Sequence, residues 1–204
     1  MNILEEFQTY VWPNIVKFLN ENSQARYTTQ GWYGPCIWSE DGDIKRIVTW
    51  FCQKKFGLIN VHNETKIANY TFSRFKEDYE KRIITSRQRI DIDVTDASNW
   101  KNNDDFMNNS HGLFIEVKGI RNNHTWGEPK RHKIPGFEKD CEKLKILIDN
   151  QYCKFGVAIL VDQGDKKGKC YIHDKEKMIN TLKAKYSPVV PLIWQKSGGV
   201  NIKK

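Results

Sequence analysis

Two short segments in which apolar and polar residues alternate constrain the fold of this chain more than any other feature. Residues 89–94 read RIDIDV and residues 113–119 read LFIEVKG. Successive side chains of a β-strand point to opposite faces of the sheet, so this alternation predicts two strands, each with one apolar face. The other faces carry Asp91 and Asp93 on the first strand, and Glu116 and Lys118 on the second.

The rest of the chain predicts helices on both sides of further strands. Helices are predicted at 3–21, with an interruption at Pro13, and at 39–57, 72–82, 137–150 and 175–185. Strands are predicted at 58–64, 155–161, 169–173 and 189–194, and the continuous hydrophobicity of 155–161 indicates burial on both faces. The polar segment 96–111 and the Gly/Pro-containing segment 120–136 are predicted as loops. The order of elements favours a mixed α/β fold.

Length and charge limit the class of protein. The chain has 204 residues, 39% of them hydrophobic, which suits one domain spanning 1–204 with a substantial core. No stretch approaches a membrane span, and the acidic start of the chain lacks a secretory pattern, so we expect a cytoplasmic protein with no membrane partner. The 33 Lys and Arg exceed the 25 Asp and Glu, giving a net charge of +8 that favours a polyanionic partner such as nucleic acid.

Other catalytic chemistries have little support in the sequence. The five cysteines are scattered without a C-x-x-C pair or a Cys/His pair at zinc spacing, so we expect reduced packing residues. The five histidines have no partner at the spacing of a metal site or a catalytic triad.

The acidic faces of the two alternating strands point instead to a divalent metal. If those strands are neighbours, their carboxylates converge, and such a cluster is destabilising unless a cation lies among them. Mg²⁺ prefers oxygen ligands and retains waters, which suits carboxylates, a backbone carbonyl and substrate phosphate, with Mn²⁺ as a substitute. Lys118 would lie beside the metal, where its charge orients a water or stabilises developing negative charge. These residue types predict hydrolysis of a phosphodiester.

The same residues carry a family resemblance. Arg89-Ile-Asp91-Ile followed by Glu116-Val-Lys118-Gly resembles the PD-(D/E)XK nuclease superfamily, which has the restriction-endonuclease-like fold. The proline of that name is replaced by Ile90. The resemblance implies an αβββαβ core over residues 38–162, with 1–37 as an N-terminal helical extension and 163–204 as a C-terminal strand-helix-strand addition.

The resemblance also implies roles for individual residues. It selects Asp91 over Asp93 as a metal ligand together with Glu116, with the carbonyl of Val117 as a third ligand and Lys118 positioning the attacking water. Two other E-x-K triplets begin at Glu64 and Glu128, but only the Glu116 triplet lies in an apolar strand that ends at glycine.

A further acid is expected from the helix at 39–57. Glu40 continues the apolar stripe of that helix, four residues before Ile44, so its carboxylate could assist the metal site. The alternative is an acid that only complements the helix dipole. Asp43 could replace Glu40 in the first role, and Glu64 is a weaker alternative.

Substrate contacts are expected after the second alternating strand. Basic residues with an intervening aromatic suit a nucleic-acid groove, and this loop offers Arg121, Trp126, Lys130, Arg131 and Lys133. On the next helix, the segment from Asp140 to Leu144 is similar to a D-x-x-K-L stretch of some families in the superfamily, which implies that Lys143 contacts phosphate or the carboxylates. Ordinary solvated positive charges are the alternative for both groups.

The sequence therefore predicts a Mg²⁺-dependent endonuclease acting on double-stranded DNA, of restriction, defence or repair type. A homodimer is expected because antiparallel strands are related by a two-fold axis. The rival from another class is a catalytically inactive module of the same fold that binds nucleic acid or protein. In that case the acids and lysines would form cross-strand ion pairs on a solvated sheet face.

Overall fold

A mixed β-sheet lies at the centre of the structure, which is a computed structural model. The structure describes residues 1–22, 43–66, 89–96, 111–120, 129–164 and 170–196, and for 129–133 it describes the backbone alone. Over these residues the sheet has five strands in the order β1-β2-β3-β4-β5. Their bounds are β1 Val61–Lys66, β2 Arg89–Thr95, β3 His111–Ile120, β4 Cys153–Asp162 and β5 Val190–Gln195.

The direction of the strands changes across the sheet. β1, β2 and β3 are successive antiparallel neighbours, whereas β4 runs parallel to β3 and β5 runs parallel to β4. Parallel neighbours need a crossover, and helices supply it: α4, Pro129–Asp149, joins β3 to β4, and α5, Lys175–Tyr186, joins β4 to β5.

One face of the sheet is covered by the N-terminal half of the chain. A helical run comprises α1, Ile3–Glu6, a π-helical turn at Phe7–Val11, and α2, Trp12–Asn22, and it packs with α3, Lys45–Phe56. This layer buries mainly aliphatic side chains against the sheet. From the helices these include Phe7, Val11, Ile15, Leu19, Ile44, Val48 and Cys52, and from the sheet Ile92, Val94, Leu113, Ile115, Val117, Val157, Ile159 and Val161.

The two crossover helices cover the other face. Side chains of α4 and α5 bury the alternate positions of β3 and β4, which makes a three-layer helix-sheet-helix arrangement. The main members of this second core are Phe114, Phe137, Cys141, Leu144, Leu147, Ala158, Leu160, Leu182, Tyr186 and Ile193. β4 is therefore apolar on both faces, as the continuous hydrophobicity of 155–161 predicts.

Most predicted elements are confirmed, and several bounds differ. The helix predicted to end at 57 does so, because Gly57 takes the positive φ of 91° that glycine adopts most readily. Residues Leu58–Asn60 form a 3-10 turn before β1, rather than part of the strand. The predicted helix at 72–82 and most of the loop at 96–111 lie outside the described residues.

The interruption at Pro13 takes the form of a π-helical turn. The backbone N–H of Trp12 donates to the carbonyl of Phe7, five residues earlier. Proline has no N–H and its ring crowds the carbonyl four residues before it, so a widened turn lets the helix continue.

Two predictions about the second half of the chain are wrong. The sequence predicts a loop at 120–136, but its last part, 129–136, belongs to α4, which begins at Pro129 and contains Pro135. A strand is also predicted at 169–173, but its described residues, 170–173, have no regular structure. There the Ile172 N–H donates to the carboxylate of Asp162 and the Ile172 carbonyl accepts from the Gln195 side chain, so side chains replace strand pairing. None of the described helices is long and apolar enough to cross a bilayer.

Candidate active site

Asp91 and Glu116 lie next to each other at the end of the β2–β3 ladder. The register pairs Ile92 with Ile115, so one further step along both strands leads to Asp91 and Glu116. The Val117 backbone N–H donates to Asp91 Oδ2 over 2.8 Å. A carboxylate that accepts from a backbone N–H is held in one orientation, so Asp91 is fixed beside the Glu116-Val117-Lys118 triplet.

The strand geometry determines which side of the sheet these groups occupy. Leu113, Ile115 and Val117 pack in the layer of α1 to α3, so the alternate residues of β3 face α4. That face is not solvated, because Phe114 is fully buried and Glu116 is only 3% exposed. The alternative in which these residues form ion pairs on a solvated sheet face is therefore wrong for Glu116.

Burial changes the protonation of Glu116. Its pKa is raised to about 8, first by desolvation, with the negative charges of Asp91 and Asp140 adding to the effect and Lys143 opposing it. The pKa of Asp140 on α4 is also raised, again mainly by burial, while Lys118 and Lys143 lower it. The three carboxylates are thus close enough to affect one another electrostatically.

Two lysines link the sheet to α4. Lys143 Nζ lies 2.6 Å from Glu116 Oε1 and donates to the carbonyl of Arg89 at 3.1 Å. Lys118 Nζ lies 3.4 Å from Asp140 Oδ2. Both carboxylate oxygens are buried, so each ammonium group lies against an oxygen that water hardly reaches. The oxygens keep lone-pair capacity for another electrophilic partner.

A third lysine, Lys45, was not predicted from the sequence. It lies in the first turn of α3, and its Nζ is 2.7 Å from Asp91 Oδ1 and 2.9 Å from Glu64 Oε1. The only signal was its place beside Ile44, at the border of the apolar stripe, where a long side chain can reach the sheet. That signal is weak because lysines at such borders usually extend into water.

Asp93 belongs to a different environment. Its side chain is 1% exposed, and its Oδ1 lies 2.9 Å from His111 Nδ1 at the other end of β3. Asp91, not Asp93, thus lies beside Glu116, which is the arrangement that the resemblance implies.

The other predicted residues have mixed positions. Outside the described residues lie Glu40, Arg121 and Trp126. The backbone of Lys130, Arg131 and Lys133 belongs to the first turns of α4 rather than to a loop, and their side chains are outside the description. Asp43 is exposed. Glu64 contacts Lys45, which in turn contacts Asp91. Lys143 is on α4 in contact with a carboxylate, one of the two placements expected for it.

The donor set suits a hard divalent cation. Asp91 and Glu116 supply carboxylate oxygens. The N–H of Val117 donates a hydrogen bond to Asp91, and the carbonyl of Val117 points to the same edge of the strand as that N–H. Among the described residues there is no group of three or more His, Cys, Asp or Glu side chains arranged for a metal. Two carboxylates and a carbonyl form a smaller set, which Mg²⁺ accepts because it keeps several waters and binds substrate phosphate.

The function of this cluster has to be inferred from its chemistry. The chain matches no protein-family model, no curated protein and no solved structure. Its described residues place three carboxylates, Asp91, Glu116 and Asp140, against three ammonium groups from Lys45, Lys118 and Lys143. A buried cluster of acids and lysines can bind a cation and an anion side by side, as phosphoryl chemistry requires.

Proposed function

We propose that the protein is a Mg²⁺-dependent nuclease that hydrolyses phosphodiester bonds in DNA, with Mn²⁺ as an alternative cofactor. One observation carries the proposal: Asp91 accepts a hydrogen bond from within the Glu116-Val117-Lys118 triplet on the neighbouring strand. Acids and a lysine on two adjacent strands are the arrangement implied by the resemblance to PD-(D/E)XK nucleases.

The order of elements supports the same proposal. From α3 to β4 the described elements follow the order helix, three antiparallel strands, helix, parallel strand. This is the αβββαβ order implied for a restriction-endonuclease-like core. α4 lies over the polar face of β3, so Asp140 and Lys143 of the D-x-x-K-L stretch reach Lys118 and Glu116.

Each residue then has a defined task. Asp91 and Glu116, with the carbonyl of Val117, would hold the metal, and the Val117 N–H keeps Asp91 oriented. The bound metal would supply Lewis acidity toward a phosphate oxygen. Lys118 orients the attacking water and offsets negative charge on the phosphate, while Asp140 holds Lys118 in position. Water adds to phosphorus and one P–O ester bond breaks, which yields a phosphomonoester and a hydroxyl.

The charge of the chain favours a nucleic acid as the substrate. The net charge is +8, and four basic residues follow the catalytic strand: Arg121, and then Lys130, Arg131 and Lys133 in the first turns of α4. Lys and Arg bind phosphates with release of counterions, and Trp126 could stack or pack against a base or sugar. We propose double-stranded DNA, cleaved by a homodimer in a restriction, defence or repair role in the cytoplasm.

A second candidate function is a binding module of the same fold without catalytic activity. It is favoured by the lysine contacts: Asp91 and Glu116 each contact an ammonium group, so neither acid needs a metal as a partner. Such a module would keep these residues as structural ion pairs and bind nucleic acid or protein through its basic surface.

A cleavage assay separates the two candidates. Supercoiled and linear DNA would be incubated with the protein, with and without Mg²⁺ or Mn²⁺, beside Asp91→Asn and Lys118→Met. Lys145→Met is the matched control, since Lys145 lies on α4 but pairs with Asp149 away from the cluster. We expect metal-dependent cutting that Asp91→Asn and Lys118→Met lose and the control keeps. Equal DNA binding by all four proteins without cutting would favour the binding module.

A further inference from the structure

Two lysines from opposite layers of the protein contact the two proposed metal ligands. Lys45 comes from α3 on one side of the sheet and contacts Asp91 at 2.7 Å, and Lys143 comes from α4 on the other side and contacts Glu116 at 2.6 Å. The side chains of Lys45 and Lys143 are 16% and 22% exposed, and those of Asp91 and Glu116 are 12% and 3% exposed. Both contacts are enclosed by the protein, unlike mobile surface pairs.

An ammonium group and a divalent cation compete for the same oxygen lone pairs. In a site sheltered from water, two positive centres beside one carboxylate repel each other strongly. A metal that binds Asp91 and Glu116 must therefore displace the ammonium groups of Lys45 and Lys143 from those oxygens.

Each lysine has a second acceptor that makes this displacement feasible. Lys45 also contacts Glu64 Oε1 at 2.9 Å, and Lys143 also donates to the carbonyl of Arg89 at 3.1 Å. A short movement toward the second acceptor would release the ligand carboxylate without leaving the ammonium group unsatisfied.

We infer that Lys45 and Lys143 are internal counter-ions that occupy the metal ligands until a divalent cation replaces them. They act as positioning residues, and they set the metal affinity of the site by competition. This inference rests on the proposed metal-binding function of Asp91 and Glu116. The inference adds that the metal binds by displacing the two lysine ammonium groups, and that removing either ammonium group strengthens metal binding.

The test measures Mn²⁺ binding to the full chain by calorimetry or by the electron paramagnetic resonance of free Mn²⁺, without any DNA. Lys45→Met and Lys143→Met keep most of the apolar stem and remove the charge. Lys55→Met on α3 and Lys145→Met on α4 are matched controls, because their ion-pair partners are Glu6 and Asp149. Thermal unfolding monitored by circular dichroism would show that each variant is folded.

We expect Lys45→Met and Lys143→Met each to bind Mn²⁺ about tenfold more tightly than wild type, since one competing charge has been removed. The controls should bind as wild type does, and Asp91→Asn should lose binding. The exchange of lysine for metal would be overturned if both folded lysine variants bound Mn²⁺ as wild type does or more weakly, while binding by wild type depended on Asp91. That result would leave the nuclease proposal standing. If neither wild type nor any lysine variant binds Mn²⁺, the metal-dependent function itself is overturned.

Discussion

Asp91 and Asp93 are two residues apart on β2, yet their carboxylates have unrelated partners. Asp91 accepts from the Val117 N–H and contacts Lys45, whereas Asp93 is buried against the ring of His111. β3 is antiparallel to β2, so the two acids lie beside different parts of it. Asp91 reaches the Glu116 end and Asp93 reaches the start of the strand.

The separation of these acids predicts opposite effects of the same substitution. Asp93→Ala leaves buried His111 without the contact to this carboxylate and should lower the free energy of unfolding by about 1–3 kcal/mol. It should leave Mn²⁺ binding by the folded protein unchanged. Asp91→Ala should abolish Mn²⁺ binding with a smaller loss of stability, because Asp91 is less buried than Asp93 and Lys45 keeps its contact with Glu64. Urea unfolding and calorimetric Mn²⁺ titration of both variants make the comparison. Loss of Mn²⁺ binding in folded Asp93→Ala would contradict the assignment.

Local patterns were sufficient to predict most of the sheet. The alternation of apolar and polar residues in 89–94 and 113–119 predicts two strands, and the structure confirms them as β2 and β3. The end of α3 at Gly57 was also predictable, because a positive φ strongly favours glycine. Ile90 departs from the pattern: it packs in the core on the side of α4, whereas Ile92 and Val94 pack on the other side.

Contacts between distant parts of the chain were not predictable in the same way. The position of Lys45 at the border of the apolar stripe does not indicate which acid its ammonium group contacts, and its partner Asp91 lies far along the chain. The segment 169–173 alternates like a strand, but its backbone groups bond to the side chains of Asp162 and Gln195. The helical start of α4 was missed because Pro135 and Gly136 are normally helix-breaking residues.

Asp162 should be a key stabilising residue of the connection after β4. Its buried carboxylate accepts from the backbone N–H groups of Gly164 at 3.0 Å and Ile172 at 2.9 Å. Asp162→Ala would leave both donors without this acceptor, which should lower the free energy of unfolding by about 2–4 kcal/mol. Urea unfolding measures the loss. Asp149→Ala is the control, because its exposed pair with Lys145 should contribute less than about 1 kcal/mol. Equal losses in the two variants would contradict the role of Asp162.

Gly156 should set the distance between α4 and the sheet. A Cβ at this position would lie 3.0 Å from Ile148 Cδ1 and 3.1 Å from Leu144 Cβ, both on α4. Gly156→Ala should therefore lower the free energy of unfolding by about 1–3 kcal/mol and weaken the Lys143–Glu116 contact by moving the helix. Gly136→Ala is the matched control: its Cβ would meet Lys118 Cε at 3.6 Å, an ordinary contact, and alanine favours the helix. The midpoint temperature of thermal unfolding should be at or above that of wild type for Gly136→Ala and below it for Gly156→Ala.

Glu116 should make the stability of the protein depend on pH and on the metal. Its pKa is about 8 in the folded protein against an ordinary 4.5, so between these values the folded state holds a proton that the unfolded chain has released. Stability therefore falls as the pH rises through this window. Glu116→Gln cannot ionise, and its stability relative to wild type should increase by roughly 2–4 kcal/mol from about pH 5 to about pH 9. Urea unfolding of both proteins at several pH values tests this. If the difference in unfolding free energy between Glu116→Gln and wild type did not change with pH, the raised pKa of Glu116 would be contradicted. At the alkaline end, Mg²⁺ should stabilise wild type but not Glu116→Gln, because only the ionised carboxylate gains by binding the cation.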